Sequence, residues 1–231
     1  PRSWGAVRQA LRQVSTVTGC PLYLTPQKHW PQDIARDYFG DNKTIIGILR
    51  DPYERLVTLQ REAMDGSSDC DVNSALKQRL RNYLASSDEY MSNCGFVPQA
   101  EYFDGPYGIQ VPVDMFLFPG SVNALFAATG NDDVHVHDRD ISGRHVPCKN
   151  SWAADLDLET RDLVRQIYSR DFTLLCQHFN YCDFTENTCL PGVRGMCPQD
   201  LFGWDRRKHV YCPHSPIRSP YPTRVHPSCV E

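Results

Sequence analysis

Apolar positions along the first two thirds of the chain alternate between short runs and helical stripes. Apolar side chains at three- and four-residue steps predict an amphipathic helix over residues 4–18 that ends at Gly19. The run 21–25 (PLYLT) predicts a short strand. The continuous β-branched run 44–49 (TIIGIL) predicts a strand that is buried on both faces of a parallel sheet.

The same alternation continues beyond this strand. Pro52 suits the first turn of a helix, which the pattern predicts over about 52–64, and a leucine stripe predicts another helix over about 73–86. The run 113–118 (VDMFLF) predicts a second buried strand, followed by a helix near 120–129. Strands that alternate with helices predict an α/β domain with a mostly parallel sheet.

Regular patterning ends near residue 180. The polar stretch 131–150 is typical of a loop, and the clearest helical pattern follows over 157–178, where Asp157 can cap the helix. Beyond it, Pro, Gly and Cys recur too often for long elements. We therefore predict an α/β domain over 1–180 and a cysteine-rich C-terminal extension over 181–231 that packs on it.

Composition narrows the class of protein. Hydrophobic residues make up 41% of the chain and charged residues 23%, which predicts a packed core. The net charge of -4 argues against a nucleic-acid-binding protein, which usually carries a basic surface. No apolar run is long enough to span a bilayer, and no leader opens the sequence. A signal or anchor is expected upstream of Pro1 if the protein enters the secretory pathway.

Cysteine content points to an oxidising compartment. The chain has ten cysteines, and half of them fall after residue 180, where hydrophobic patterning is weak. Disulfides that staple such a tail are the main interpretation. Structural zinc is the alternative: it usually needs a CxxC-like pair, which is absent, although His209 and His214 flank Cys212. One glycosylation sequon begins at Asn42.

The strand-to-helix segment around Arg50 is the strongest chemical signal. An arginine at the carboxyl end of a buried strand lies where open α/β sheets bind ligands. The helix start that follows is expected to offer free N–H groups and a positive dipole end to a phosphate. Thr58 lies about two helical turns further on and can add a hydroxyl. An ordinary strand–turn–helix with a surface arginine would have the same pattern.

Segment 50–58 (RDPYERLVT) resembles the 3′-phosphate-binding motif of carbohydrate (Golgi-type) sulfotransferases, which follows R-[DN]-P-[FY]-x-R-L-V-[ST]. Segment 1–7 (PRSWGAV) partly resembles their phosphosulfate-binding loop, P-K-[ST]-G-[GT]-[ST]. Arg2 replaces the lysine, Trp4 a small residue and Ala6 a hydroxyl residue. Further similar segments follow in the family order: 96–99 (FVPQ), 113–118 (VDMFLF) and 163–172 (LVRQIYSRDF).

This resemblance implies a fold, a donor and a set of binding residues. The fold would be a P-loop-like, mostly parallel sheet flanked by helices, with a disulfide-rich irregular C-terminal tail and a first strand upstream of the chain. The donor would be 3′-phosphoadenosine 5′-phosphosulfate, with no metal. Its 3′-phosphate would bind Arg50 and Thr58. Its 5′-phosphosulfate would bind the loop formed by Arg2, Ser3, Trp4, Gly5, Ala6 and Val7, with Arg2 also stabilising the leaving oxygen.

The resemblance also proposes a catalytic base. In the uronyl 2-O-sulfotransferase group, a histidine about two dozen residues before the 3′-phosphate arginine takes the acceptor proton. His29 precedes Arg50 by 21 positions and fits this spacing. A surface or capping histidine between a strand and a helix is the alternative. Other histidines that could serve as the base are His135, His137 and His145.

The partners implied are a glycan or small hydroxyl acceptor and possible assembly proteins, with no nucleic acid and no membrane contact in this segment. The Golgi lumen or the extracellular space is the implied location. An inactive sulfotransferase-fold module with a structural or adhesive role is the competing hypothesis, because Arg2 and Ala6 depart from the family loop. A P-loop kinase is disfavoured because no G-x-x-x-x-G-K-[ST] motif occurs.

Overall fold

The computed structural model describes residues 13–40, 43–64, 70–86, 90, 94–131, 133–137, 148, 151, 153–179 and 181, and the backbone of 202–205 and 210–213. Within these residues the protein is mixed α/β, with six α-helices and a two-stranded parallel sheet. The helices are α1 (Gln32–Phe39), α2 (Pro52–Ala63), α3 (Val72–Ala85), α4 (Gly120–Ala128), α5 (Leu158–Ile167) and α6 (Ser169–Phe179). The strands are β1 (Ile46–Leu49), β2 (Val111–Asp114), β3 (Phe202–Asp205) and β4 (Val210–Pro213).

The parallel sheet consists of β1 and β2. The carbonyl of Ile45 accepts hydrogen bonds from the N–H groups of Gln110 (2.9 Å) and Val111 (3.1 Å), which sets the two strands side by side. The strand predicted from the run 44–49 is therefore confirmed. Its predicted burial on both faces is wrong among the described residues, because Ile46 and Ile48 are 43% and 49% exposed.

Two predicted elements take other forms. Residues 14–21 make a tight turn closed by an antiparallel bridge between Val14 and Pro21, so the predicted helix does not extend to Gly19. The Ser15 hydroxyl accepts hydrogen bonds from backbone N–H groups of this turn, in competition with a helix. The predicted strand 21–25 is instead a short 3-10 turn, Leu22–Leu24, which lies between two prolines.

The second predicted strand is shifted toward the N-terminus. It ends at Asp114, and residues 115–119 form a turn rather than a strand. The Asp114 carboxylate accepts a hydrogen bond from the Phe116 N–H (2.8 Å), a local bond that favours a turn over continued strand pairing. The apolar run alone could not reveal this competition.

The helices predicted after residue 50 are confirmed with small changes of boundary, except for one division. The long helix predicted over 157–178 divides into α5 and α6 at Tyr168, which is fully buried. Asp157 caps α5 as predicted, since its carboxylate accepts the Thr160 N–H at 2.8 Å. The leucine stripe of α3 buries Leu76 and Leu80 completely.

The chain divides into two compact units, each with its own core and disulfide. The first unit comprises Pro1–Leu49 and Arg81–Val113, and the second comprises Arg50–Leu80 and Asp114–Glu231. The first contains the Cys20–Cys94 disulfide and the second the Cys70–Cys148 disulfide. The predicted division at residue 180 stays a prediction.

The disulfides are typical of a protein that folds in an oxidising compartment. Cys176 is disulfide-bonded as well. The pairing predicted for the cysteines beyond it, and the zinc alternative around Cys212, lie outside the described side chains. In the predicted irregular tail, the backbones of β3 and β4 pair as an antiparallel hairpin. Across the described part of the chain, no helix combines the length and apolar character needed to cross a membrane.

Candidate functional site

Three of the predicted site residues lie in the described part of the chain: Arg50 and Thr58 in the second unit, and His29 in the first. The predicted phosphosulfate loop, comprising Arg2, Ser3, Trp4, Gly5, Ala6 and Val7, lies outside it, as does His145. The roles proposed for those residues stay predictions.

The structure brings Arg50 and Thr58 together. Arg50 directly follows β1, and α2 begins two residues later at Pro52. The Arg50 Nη2 donates a hydrogen bond of 2.9 Å to the Thr58 hydroxyl. Thr58 lies about two helical turns after Arg50 in the sequence. The long arginine side chain therefore extends along the first turns of α2 to reach it.

Glu54 completes the immediate surroundings of the Arg50 guanidinium. Arg50 Nε and Nη2 donate to Glu54 Oε2 and Oε1, a bidentate ion pair at i, i+4 spacing. The Glu54 side chain is only 9% exposed. Sequence reasoning missed this residue, although the i, i+4 spacing of opposite charges is a known helical signal.

The start of α2 differs from the expectation of free backbone donors. The Asp51 carboxylate accepts hydrogen bonds from the N–H groups of Tyr53 (2.9 Å) and Glu54 (3.2 Å). Asp51 is therefore an N-cap, and it already binds two of the donors that were expected to face a phosphate. Side chains on the helix, rather than its end, are the groups left to bind an anion here.

Arg61 adds a second cation near this pair. Burial lowers the pKa of the Arg61 guanidinium; the Glu54 carboxylate opposes that shift and the Arg50 charge reinforces it. Four polar residues are spaced by four, four and three positions and so lie along one side of α2 and the residues just before it. We refer to them as the α2 stripe: Arg50, Glu54, Thr58 and Arg61. Two guanidinium groups and one carboxylate leave the α2 stripe with one net positive charge.

A neighbouring face of α2 is anchored in the core of the second unit. Tyr53, Leu56 and Val57 are at most 2% exposed, and the Tyr53 ring packs against Phe172 with 5.3 Å between centroids. Burial raises the pKa of the Tyr53 hydroxyl. Arg165 Nη1 donates to that hydroxyl at 3.4 Å. This packing gives the α2 stripe a rigid support.

His29 ends the 3-10 turn Gln27–His29 in the first unit and is held by the Tyr90 side chain. Its Nε2 lies 2.7 Å from the Tyr90 hydroxyl, and the two rings meet edge to face with centroids 5.5 Å apart. The Ser15 hydroxyl donates to the His29 carbonyl at 3.2 Å. Sequence reasoning missed Tyr90, which lies 61 residues further along the chain.

The neighbours of His29 are fixed independently. Lys28 Nζ donates to Glu101 (2.6 Å) and Asp104 (3.0 Å), while Trp30 is 5% exposed and donates to a backbone carbonyl at 2.8 Å. With both flanking residues anchored, the backbone of His29 has little freedom. The imidazole is therefore held in a defined position.

The other candidate histidines lie on the surface. His135 and His137 are exposed, and their ring centroids lie 4.9 Å apart. The Asn123 amide lies within hydrogen-bond distance of His135 Nε2 and bonds both backbone groups of Val136. In the parts of the chain whose side chains are described, no three His, Cys, Asp or Glu residues are grouped closely enough to hold a metal ion.

Comparisons with known proteins identify no relative: no protein-family model, no curated protein and no solved structure matches the chain. The site has therefore to be interpreted from its own residues. Those residues supply a charged fork and a hydroxyl after β1 and, in the other unit, an imidazole fixed by a tyrosine.

Proposed function

We propose that this protein is a sulfotransferase, which transfers a sulfuryl group from 3′-phosphoadenosine 5′-phosphosulfate to a hydroxyl of a glycan or related acceptor. The contact between Arg50 and Thr58 after β1 carries the proposal. The resemblance assigns these two side chains to the donor's 3′-phosphate, and the contact means that they lie next to each other.

The chemistry of these two groups suits a phosphate monoester. A guanidinium presents a planar fork of donors that matches phosphate oxygens, and a hydroxyl can donate to a further oxygen. The bond between them orients the fork along α2. Because Asp51 binds the N–H groups at the helix start, the side chains rather than the helix end would provide specificity for the 3′-phosphate.

Sulfuryl transfer is an in-line displacement that needs a positioned base and stabilisation of the leaving group. In our proposal His29 takes the acceptor proton as the acceptor oxygen bonds to sulfur. The bond from sulfur to the 5′-phosphate oxygen breaks, and adenosine 3′,5′-bisphosphate leaves. Arg2 would balance the charge that develops on that oxygen. It supplies charge and hydrogen bonds but, unlike lysine, no transferable proton.

The proposed location is the Golgi lumen or the extracellular space, where disulfides persist. The Cys20–Cys94 and Cys70–Cys148 bonds support this part of the proposal. Glycans are present in the Golgi lumen and in the extracellular space, which agrees with a carbohydrate-type acceptor.

A catalytically inactive sulfotransferase-fold module is the second candidate. One observation favours it: Asp51 and Glu54 already bind the backbone donors and the guanidinium that an anion would use. Such a module would have a structural or adhesive role with protein partners. Measurement of nucleotide binding and of sulfuryl transfer separates the two candidates.

Calorimetric titration with adenosine 3′,5′-bisphosphate tests the donor site. Arg50→Ala should weaken binding by about 30-fold, roughly 2 kcal/mol, because a charge-assisted contact is lost. Arg170→Ala, which removes an exposed arginine of α6 in the same unit, is the matched control and should bind as the wild type does. Equal affinity of wild type and Arg50→Ala would reject the site.

A transfer screen then tests the activity. Radiolabelled sulfuryl donor would be offered with a panel of glycans and small phenols, and labelled product would be measured. Nucleotide binding without transfer to any acceptor would favour the inactive module.

A further inference from the structure

Glu54 occupies the face of Arg50 that an anionic ligand would need. It accepts from both Nε and Nη2, one of the two donor pairs through which a guanidinium can contact a carboxylate or a phosphate bidentately. Thr58 accepts from the same Nη2. A phosphate that engages this fork must therefore displace the Glu54 carboxylate.

Displacement leaves a carboxylate that needs another partner. The Glu54 side chain is 9% exposed, and a nearly buried carboxylate without a counter-ion is strongly unfavourable. Arg61 lies seven residues further along the α2 stripe, on the same helical face. Because seven residues are about two helical turns, Arg61 and Glu54 lie on the same side of α2.

We propose that Glu54 is an internal counter-ion that competes with a ligand phosphate for Arg50, and that Arg61 receives the displaced carboxylate. The exchange keeps Glu54 paired in both arrangements and sets the phosphate affinity of the α2 stripe. This inference rests on the proposed function for the identity of the ligand, a 3′-phosphorylated nucleotide.

The competition predicts that loss of the Glu54 charge tightens binding. Glu54→Gln should bind adenosine 3′,5′-bisphosphate about tenfold more tightly than wild type, because the ligand no longer displaces an ion pair. Glu62→Gln removes an exposed carboxylate of the same helix and should leave the affinity unchanged. In an Arg50→Ala background the gain from Glu54→Gln should vanish, because both act through one guanidinium.

Substitution of Arg61 provides an independent second test of the proposed exchange. Arg61→Gln should weaken binding about fivefold in the wild-type background, since the displaced carboxylate loses its second partner. The same substitution should have little effect once Glu54 is replaced by Gln. A comparable loss in both backgrounds would overturn the exchange, because Arg61 would then bind the ligand directly.

Titrations with inorganic phosphate separate this inference from the proposed function. If phosphate affinity follows the predicted pattern of variants but the nucleotide does not bind, the counter-ion exchange stands and the sulfotransferase assignment fails. If Arg50→Ala abolishes nucleotide binding while Glu54→Gln leaves it unchanged or weaker, the donor site stands and the exchange is overturned. Should Glu54→Gln fail to fold in thermal melts, Glu54→Asp, whose shorter side chain withdraws the carboxylate, must tighten binding for the inference to survive.

Discussion

The turn that carries His29 and the β1–α2 segment that carries Arg50 are held in opposite ways. Around Arg50, the partners Glu54 and Thr58 are four and eight residues away on the same helix. Around His29, the imidazole is contacted by Tyr90, 61 positions away, and Lys28 is bound by Glu101 and Asp104, 73 and 76 positions away. The Ser15 hydroxyl, 14 positions away, donates to the His29 carbonyl. One arrangement is built by local structure and the other by tertiary structure.

This difference determines how each would fail. The α2 stripe keeps its geometry as long as α2 is helical, since its contacts lie within one continuous helical segment. The His29 turn depends on segments that only the folded first unit brings together. A perturbation of tertiary structure should therefore disturb the histidine, whereas a perturbation of helix stability should disturb the arginine.

Removal of the Cys20–Cys94 disulfide is the strongest test of this contrast. The disulfide spans 74 residues and holds the segment next to Tyr90, whose carbonyl accepts the Cys94 N–H at 3.2 Å. The double variant Cys20→Ser, Cys94→Ser should lose about 4 kcal/mol of unfolding free energy in urea titrations, because its unfolded chain is less constrained. Nuclear Overhauser contacts between the His29 and Tyr90 rings should weaken as well.

The second disulfide provides the control. Cys70–Cys148 spans 78 residues, so Cys70→Ser with Cys148→Ser should cost a similar free energy. Its removal should leave the His29–Tyr90 contacts intact. If both double variants disturb those contacts equally, the special dependence of the histidine on the first disulfide is refuted.

Substitution of His29 sharpens the contrast at the level of function. His29→Ala should lower the turnover of sulfuryl transfer by about 10²–10⁴-fold, the usual effect of removing a positioned base. Binding of adenosine 3′,5′-bisphosphate should stay near the wild-type affinity, because the histidine acts on the acceptor. Near-normal turnover would move the base elsewhere, with His135 and His137 as the next residues to replace.

The N-cap of α2 tests the local side of the contrast. Asp51→Ala should destabilise the protein by about 1 to 2 kcal/mol, because the Tyr53 and Glu54 N–H groups lose their acceptor. Asp51→Asn, which keeps an acceptor, should cost less. Thermal and urea unfolding measure both variants, and equal losses would show that charge rather than capping dominates.

Asp157 combines both kinds of contact and should show the smallest effect. It caps its own helix and also accepts a hydrogen bond from Lys77. That hydrogen bond is the main reason why the pKa of Asp157 lies well below its ordinary value. A depressed folded pKa means that its contribution is complete above about pH 4 and is lost as the pH falls through the folded pKa. Asp157→Ala should cost up to about 1 kcal/mol at pH 6, and this difference should narrow below about pH 4. A difference that stays constant down to pH 2 in urea titrations would contradict this linkage.

Local order along the chain explains which features could be predicted. The β1–α2 turn, its proline and the Arg50–Thr58 spacing depend on consecutive residues, and the sequence pattern predicts them. Tyr90, Glu101 and Asp104 reach the His29 turn from distant positions, and no spacing rule connects them to it. The burial of Ile46 and Ile48 was overestimated for the same reason, because the exposure of a strand face depends on what packs against it.

Polar side chains account for most of the remaining errors. The turn over 14–21 and the early end of β2 both follow from hydroxyl or carboxylate groups that bond nearby N–H groups. Apolar periodicity is insensitive to such bonds, since one Ser or Asp changes the pattern little and the backbone geometry a great deal. Closer attention to Ser15 and Asp114 would have improved both predictions.

The bond from Tyr181 to Asp114 has a practical consequence for where the chain can be cut. The Tyr181 hydroxyl donates to the Asp114 carboxylate at 2.6 Å, and its ring meets Phe116 edge to face. Asp114 is 7% exposed, so a truncated protein that ends at residue 180 would lose a partner of a nearly buried carboxylate. Proteolytic trimming or recombinant truncation at residue 180, the boundary that the sequence pattern suggests, should therefore destabilise the second unit.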